Sequence, residues 1–137
     1  MWSERCANAV NEQINHELNA SYQYHNLFTY FNNDSVGFQN IAKYFNKASI
    51  EERDHAHTFM EYQNKRGGRV ELKEIPQPTI DLYSCANNTD LLVAFREAYK
   101  LEEFVYSKLL ELHKIGSEEN DPQFTDFIEG EFLEEQI

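Results

Sequence analysis

Three stretches of this chain place a carboxylate in the middle of an otherwise apolar helical stripe. Glu17, Glu52 and Glu102 occupy these positions, and His55 follows Glu52 three residues later. Side chains three or four positions apart lie on one face of a helix, so Glu52 and His55 share a face. An ionised carboxylate in an apolar interior is very costly unless it is paired, and the stripes contain no lysine or arginine. The expected partner of these carboxylates is therefore a metal ion.

The ligand types narrow the choice of metal. Oxygen ligands with a single imidazole suit iron, manganese or zinc better than metals that prefer thiolates. A site that shares two metal ions among the carboxylates would explain why several of them converge. The alternative is that each glutamate is a helix-end or snorkelling residue, as a lone glutamate on an apolar stripe usually is. Interruption of three stripes at matching height favours the metal site, because this coincidence is rarer than any single interruption.

The stripes alternate steps of three and four residues, which is typical of the inward faces of amphipathic helices. The first predicted helix carries Ala7, Val10, Ile14, Glu17, Ser21, Tyr24, Phe28 and Phe31. The second carries Phe38, Ile41, Phe45, Ala48, Glu52, His55, Phe59 and Tyr62. The third carries Leu92, Phe95, Tyr99, Glu102, Tyr106 and Leu109. A weaker fourth stripe steps by four residues through Phe124, Ile128, Phe132 and Gln136.

Glycines, prolines and capping residues predict where these helices begin and end. The expected spans are about 4–31, 38–66, 90–116 and 122 onward. Gly67 can supply a left-handed residue after the second span, Gly116 ends the third, and Pro122 opens the fourth. The proline-containing segment 69–88 predicts a long crossing connection. The predicted fold is an all-α, antiparallel four-helix bundle with a long crossover, and residues 1–137 are expected to form one domain.

The composition limits the possible partners. Twelve basic and 24 acidic side chains give a formal net charge of −12, which argues against nucleic acid or an anionic membrane. The charge suits cations, although a soluble acidic surface accounts for it without any ligand. The N-terminus lacks the basic start and apolar stretch of a signal peptide, and Cys6 and Cys85 form no CxxC pair. We therefore expect a cytoplasmic protein with free thiols.

Five short segments carry a family resemblance. They are INHELNASY at 14–22, EERDHA at 51–56, QNKRGGR at 63–69, LLELHK at 109–114 and NDP at 120–122. Together they resemble animal ferritin of the heavy-chain type, over essentially the whole chain. The resemblance implies a hollow shell of 24 ferritin subunits that oxidises Fe(II) with O₂ and stores a ferric mineral. Inward-facing Glu and Glu-x-x-His ligands are a general feature of such di-iron bundles.

The resemblance also implies roles for individual residues of the site. The positions that match the family's ferroxidase ligands, which bind two iron ions per subunit, are Glu17, Glu52, His55 and Glu102. Glu52 matches the carboxylate that bridges the two ions. Gln136 matches the glutamine of the second iron site, and Tyr24 matches the tyrosine beside the centre. A light-type chain lacks these ligands, so the heavy type is the expected one.

Further matches lie outside the ferroxidase centre. Asp126 and Glu129 match the acidic ring of the three-fold channel through which iron enters the shell. Glu51 and Asp54 match the acidic cluster on the inner surface that nucleates mineral. His57 stands where the family has a third carboxylate of that cluster, so weaker nucleation is expected here.

The chain departs from the family pattern at its end. The sequence stops at Ile137, about halfway along the family's fourth helix and before its short fifth helix. We therefore expect a C-terminally truncated chain that does not form a stable 24-subunit shell alone. Two alternatives to a storage subunit follow, namely a truncated inactive or structural subunit, and a small metal-binding helical module.

Overall fold

A computed structural model describes residues 1–134, which fold into four α-helices joined by short turns and one long connection. The helices are α1 (Glu4–Asn32), α2 (Gln39–Lys65), α3 (Asp90–Glu118) and α4 (Pro122–Ile128). A π-helical segment, Glu129–Leu133, continues α4, and a 3₁₀ turn, Leu82–Ser84, lies in the α2–α3 connection. The described residues contain no β-strand, and the predicted all-α bundle is confirmed. No helix in this range is long and apolar enough to cross a bilayer.

The helix ends show which capping predictions were correct. Gly67 has a φ of 86° just after α2, as the sequence predicts. The expected end of α3 at Gly116 is wrong, because the helix runs to Glu118 and the left-handed residue is Asn120, with a φ of 55°. Gly116 is buried, and a Cβ atom there would lie 2.9 Å from Cδ2 of Phe124. This glycine therefore serves close packing between α3 and α4 rather than helix termination.

The start of α4 is tied to the end of α2. The Asp121 side chain caps α4 by accepting a hydrogen bond from the Phe124 amide at 3.1 Å, and Pro122 occupies the first turn. The Arg66 guanidinium, just after α2, lies 2.8 Å from the other Asp121 oxygen, and both side chains are almost fully buried. This ion pair and cap together fix where the short fourth helix crosses the bundle.

The predicted apolar stripe of the fourth helix is buried along its described length. Phe124, Ile128 and Phe132 are at most 2% exposed. A step of four residues drifts around an α-helix, because one turn holds only 3.6 residues. The π-helical segment holds more residues in each turn, so it returns Phe132 to the buried face.

The core divides into two apolar clusters. One joins all four helices and includes Ile14, Phe59 and Leu109. The other joins α1, α2, α3 and the 3₁₀ turn, and includes Phe31 and Phe45. On each of the first three helices, the interrupting glutamate falls in sequence between residues of the two clusters. The polar positions therefore lie at mid-height, with apolar packing above and below.

The predicted inward stripe of α3 is largely wrong. Leu109 is buried, but Leu92 and Tyr99 are 59% and 66% exposed, and Phe95 and Tyr106 are also exposed. The buried face of α3 instead carries mostly small or branched residues, namely Ala94, Ala98, Val105, Leu109, Leu112 and Gly116. Ala94 and Ala98 belong to the same apolar cluster as residues of α1 and α2, and the described part of α4 packs only on the second half of α3.

The Asp121 cap yields a prediction about stability and its dependence on pH. Asp121→Ala should lower the free energy of unfolding by about 1–2 kcal/mol, because it removes a helix cap and the carboxylate that pairs with Arg66. Burial disfavours the Asp121 carboxylate, but bonds from Arg66 and the Phe124 amide outweigh this and lower its pKa. The contribution should therefore be full above the unfolded-state pKa of about 4 and decline as pH falls below it.

Urea unfolding of wild type and variant at pH 7 and pH 3 measures this difference. The matched control is Glu118→Ala, which breaks the exposed ion pair between Arg5 and Glu118 and should leave stability unchanged. If the free energies of unfolding of wild type and Asp121→Ala differed as much at pH 3 as at pH 7, the electrostatic contribution of Asp121 would be contradicted.

Candidate metal centre

Two serines hold α1 and α2 together next to the interrupting glutamates. The Ser21 hydroxyl donates to the Ser49 carbonyl oxygen at 2.7 Å, and the Ser49 hydroxyl donates to the Ser21 carbonyl oxygen at 2.8 Å. Ser21 lies one turn after Glu17, and Ser49 lies one turn before Glu52. These reciprocal bonds fix the register of the two helices at the level where the carboxylates must meet.

Glu17, Glu52 and His55 converge between α1 and α2. One ligand atom from each residue lies within 4.8 Å of the other two. Nδ1 of His55 is 3.7 Å from Oε1 of Glu17 and 3.7 Å from Oε2 of Glu52. Glu17 is 0% exposed and Glu52 is 5% exposed. Three of the four expected iron ligands are therefore brought together in the interior of the bundle.

Positive charge would stabilise the buried carboxylates of this cluster. Oε1 of Glu17 and Oε2 of Glu52 are buried and have no hydrogen-bond partner. Burial raises the pKa of Glu52 to about 7. The carboxylates of Glu17 and Glu52 raise the pKa of His55 to about 10. The donor set of two buried oxygens and one imidazole fits a divalent cation.

Glu102, the fourth expected ligand, lies beside the cluster rather than in it. It is half-buried on α3 and accepts a hydrogen bond from the Tyr24 hydroxyl. Tyr24 is itself buried and stacks on Phe45 with the ring centroids 6.2 Å apart. Burial raises the pKa of Glu102 and also that of Tyr24. Glu102 and Glu52 line the same open cavity of about 340 Å³, so a cation in this cavity could contact both carboxylates.

The other predicted site residues lie on the surface or beyond the described range. Asp126 and Glu129 are exposed, and Oε1 of Glu129 is 3.6 Å from Nε2 of His113. Glu51 and Asp54 are exposed on α2. The predicted role of Gln136 lies outside the described residues.

Gln13 is a contact of the site that sequence reasoning missed. It is 2% exposed, and its Nε2 donates to Oε2 of Glu17 at 3.1 Å. Its spacing of four residues from Glu17 places it on the same face of α1. The predicted stripe includes Ile14 and Glu17 but not Gln13, because a glutamine is not expected in an apolar face.

A comparison with protein families identifies the family of the chain. A family model described as "Ferritin: Ferritin-like domain" matches residues 7–137. The chain belongs to the ferritin family.

Several curated relatives of the chain are plant ferritins. "Ferritin-1, chloroplastic" of Brassica napus is 52% identical over 129 residues, which are 94% of this chain and 50% of that protein. "Ferritin-4, chloroplastic" of Arabidopsis thaliana is 46% identical over 136 residues, 99% of this chain and 52% of the relative. "Ferritin-2, chloroplastic" of Zea mays is 51% identical over 131 residues, which are 96% of this chain and 52% of that relative. The chain spans about half the length of the curated relatives it matches.

These comparisons correct one expectation and narrow another. The predicted cytoplasmic localisation is wrong, because the relatives are chloroplastic ferritins, which point to a plastid. The prediction rested on the lack of a signal-peptide pattern and on free cysteines, and free cysteines indicate a reducing setting without distinguishing one such compartment from another. The resemblance to ferritin is confirmed at the level of the family, and the named relatives come from plants rather than animals.

The serine contact between α1 and α2 can be tested by a double-mutant cycle. Ser21→Ala and Ser49→Ala should each lower the free energy of unfolding by about 1 kcal/mol, since each removes a partly buried hydrogen bond. The double variant should lose less than the sum, because both hydroxyls bridge the same helix–helix contact. Urea unfolding of the four proteins measures the coupling, and strictly additive losses would show that the two bonds act independently.

Proposed function

We propose that this chain is an iron-storage ferritin subunit of the heavy-chain, ferroxidase type. It binds Fe(II) at Glu17, Glu52, His55 and Glu102 and oxidises it with O₂. The observation that carries the proposal is the pair of buried carboxylate oxygens without hydrogen-bond donors, facing one imidazole. The ferritin names of the relatives support the same function and support a plastid as its setting. Fe(II) is the substrate of this reaction.

Two iron ions per subunit suit the distribution of the carboxylates. Glu52 is the candidate bridge, because its Oε2 faces His55 and its side chain lines the cavity that also contains Glu102. One ion would then lie toward Glu17 and His55, and the other toward Glu102. Tyr24 would hold Glu102 in place through their hydrogen bond, and Gln136 would complete the second site.

The reaction balances with O₂ as the two-electron oxidant. Each of two Fe(II) ions gives up one electron, O₂ takes both, and four water molecules are consumed. The products are two FeO(OH), one H₂O₂ and four protons. Hard anionic oxygen ligands stabilise Fe(III) more than Fe(II), so the carboxylates favour the electron loss. In the same proposal His55 fixes one ion and gives up its proton when the cation binds, because metal ligands must be deprotonated.

The exposed acidic residues have proposed roles in moving iron and mineral. Asp126 and Glu129 would attract Fe(II) to the three-fold channel of a 24-subunit shell. Glu51 and Asp54 would nucleate the mineral on the inner surface. All four side chains are exposed to solvent, as such roles require. Residues 1–137 would act as one ferritin-like domain.

The proposed ligands predict a loss of oxidation in single variants. Glu52→Ala or His55→Ala should slow the initial O₂-dependent oxidation of Fe(II) more than tenfold, about 1.4 kcal/mol in activation free energy. Each change removes a group that would contact iron in the reaction. The formation of ferric product, followed by absorbance at equal protein concentration, measures the rate.

Two exposed residues of the same helices serve as controls. Glu61→Ala on α2 and His25→Ala on α1 change the same residue types away from the cluster and should keep the wild-type rate. If either cluster variant oxidised Fe(II) as fast as wild type, the assignment of the site would be wrong.

A further inference from the structure

Gln13 is the one described side chain that donates a hydrogen bond to Glu17. Its amide Nε2 lies 3.1 Å from Oε2 of Glu17, and both side chains are buried. The contact joins residues one turn apart on α1, which the helix places on the same face. The other oxygen of Glu17, Oε1, has no hydrogen-bond partner and lies 3.7 Å from Nδ1 of His55. The two oxygens of one carboxylate therefore have different surroundings.

The chemical type of this donor matters for a cation site. An amide N–H satisfies one carboxylate oxygen but leaves the full negative charge of Glu17 in place. A lysine or arginine at the same position would neutralise that charge, as Arg66 does for Asp121 elsewhere in the bundle. Glu102 follows the same pattern, because its described donor is the neutral hydroxyl of Tyr24. Both carboxylates are thus held by neutral groups and keep their charge for a cation.

The contact also limits how Glu17 can meet a metal. A free carboxylate can bind a cation through one oxygen or through both. With Oε2 engaged by Gln13, the oxygen of Glu17 that faces His55 is Oε1, 3.7 Å from its Nδ1. Outer hydrogen-bond partners of this kind orient the ligands of metal sites and strengthen metal binding.

We propose that Gln13 is a positioning residue that holds Glu17 as a single-oxygen metal ligand and preserves its negative charge. The proposal rests on the function proposed above, since it assumes that Glu17 binds iron. Gln13 does not contact the metal in this account. It acts through Glu17, and its removal should change how tightly the metal binds and in what geometry.

Binding of Co(II) to the purified chain tests the proposal without any oxidation step. Co(II) binds such sites at least as tightly as Fe(II), and its visible absorption reports coordination geometry. Gln13→Met keeps the approximate volume of the side chain but removes the donor. It should raise the Kd for Co(II) roughly ten- to a hundredfold. At saturating Co(II) its visible bands should weaken, because a released Glu17 can bind through both oxygens and raise the coordination number.

A second variant separates the charge argument from the loss of the donor. Gln13→Lys keeps a hydrogen-bond donor but pairs Glu17 with a positive charge, so it should weaken Co(II) binding at least as much as Gln13→Met. This variant also decides the question if Gln13→Met fails to fold. Wild-type affinity in Gln13→Lys would overturn the proposal.

Gln63 provides a matched control. It is a second fully buried glutamine, and it bonds Trp2, the Ala7 carbonyl oxygen and Asn11. It lies about 12 Å along α2 from His55. Gln63→Met should lower the melting temperature but leave the Kd and the visible bands of Co(II) unchanged.

The outcomes separate this inference from the proposed function. If wild type fails to bind Co(II) at the cluster, the proposed function and this inference are both wrong. If wild type binds Co(II), and Gln13→Met binds it with the same Kd and the same bands, only the positioning role is wrong. An equal loss of Co(II) affinity in Gln13→Met and Gln63→Met would likewise contradict it, because general destabilisation would then explain both.

Discussion

Buried carboxylates with incomplete hydrogen bonding are the constraint on which this structure depends. Glu17 and Glu52 lie in the interior of a helical bundle with one oxygen each left without a hydrogen-bond partner. A buried carboxylate of this kind destabilises a fold unless a cation or donor reaches it. The apolar clusters above and below the site supply the packing that tolerates this cost. The serine contact between α1 and α2 keeps the two carboxylates at the same height.

One carboxylate elsewhere, that of Asp121, shows what the chain does when stability alone is at stake. Asp121 receives bonds from Arg66 and from a backbone amide, and its pKa is lowered. Glu52 has the opposite balance, because burial raises its pKa to about 7. The carboxylate of Asp121 is thus paired with a cation at a helix cap, whereas the carboxylate of Glu52 has few partners in the core. That contrast is typical of functional sites, where groups are held in states that folding alone would not favour.

The sequence predicted most of the fold and the centre of the site, because helical periodicity determines both. On α1 and α2 the apolar stripes identify the buried faces, and the glutamates that interrupt them meet in space. On α3 the same method failed, since Phe95 and Tyr99 mark an apolar face that is exposed, while the buried positions include Ala94 and Ala98. Hydrophobic periodicity identifies the helix face that carries large apolar residues, whereas a helix face that packs against another helix can carry small ones.

Contacts between polar side chains were the least accessible to sequence reasoning. The bond from Gln13 to Glu17 depends on rotamers, and a glutamine four residues before a glutamate is common on solvated helices. Gly116 was misread for a related reason, because a glycine near a helix end can serve termination or close packing. Only the position of Phe124 against it decides between the two.

The central claim is that Glu17 and Glu52 are retained for a cation at the expense of the metal-free fold. The most direct test compares wild type with Glu17→Gln/Glu52→Gln by urea unfolding at pH 7, without metal and with Co(II). Without metal, the double variant should be at least as stable as wild type, because a buried amide carries no charge that must be desolvated. At a hundred times its Kd, Co(II) should stabilise wild type by about 2.7 kcal/mol and leave the variant unchanged. A wild type that is the more stable protein without metal, or equal stabilisation of both proteins by Co(II), would contradict the account.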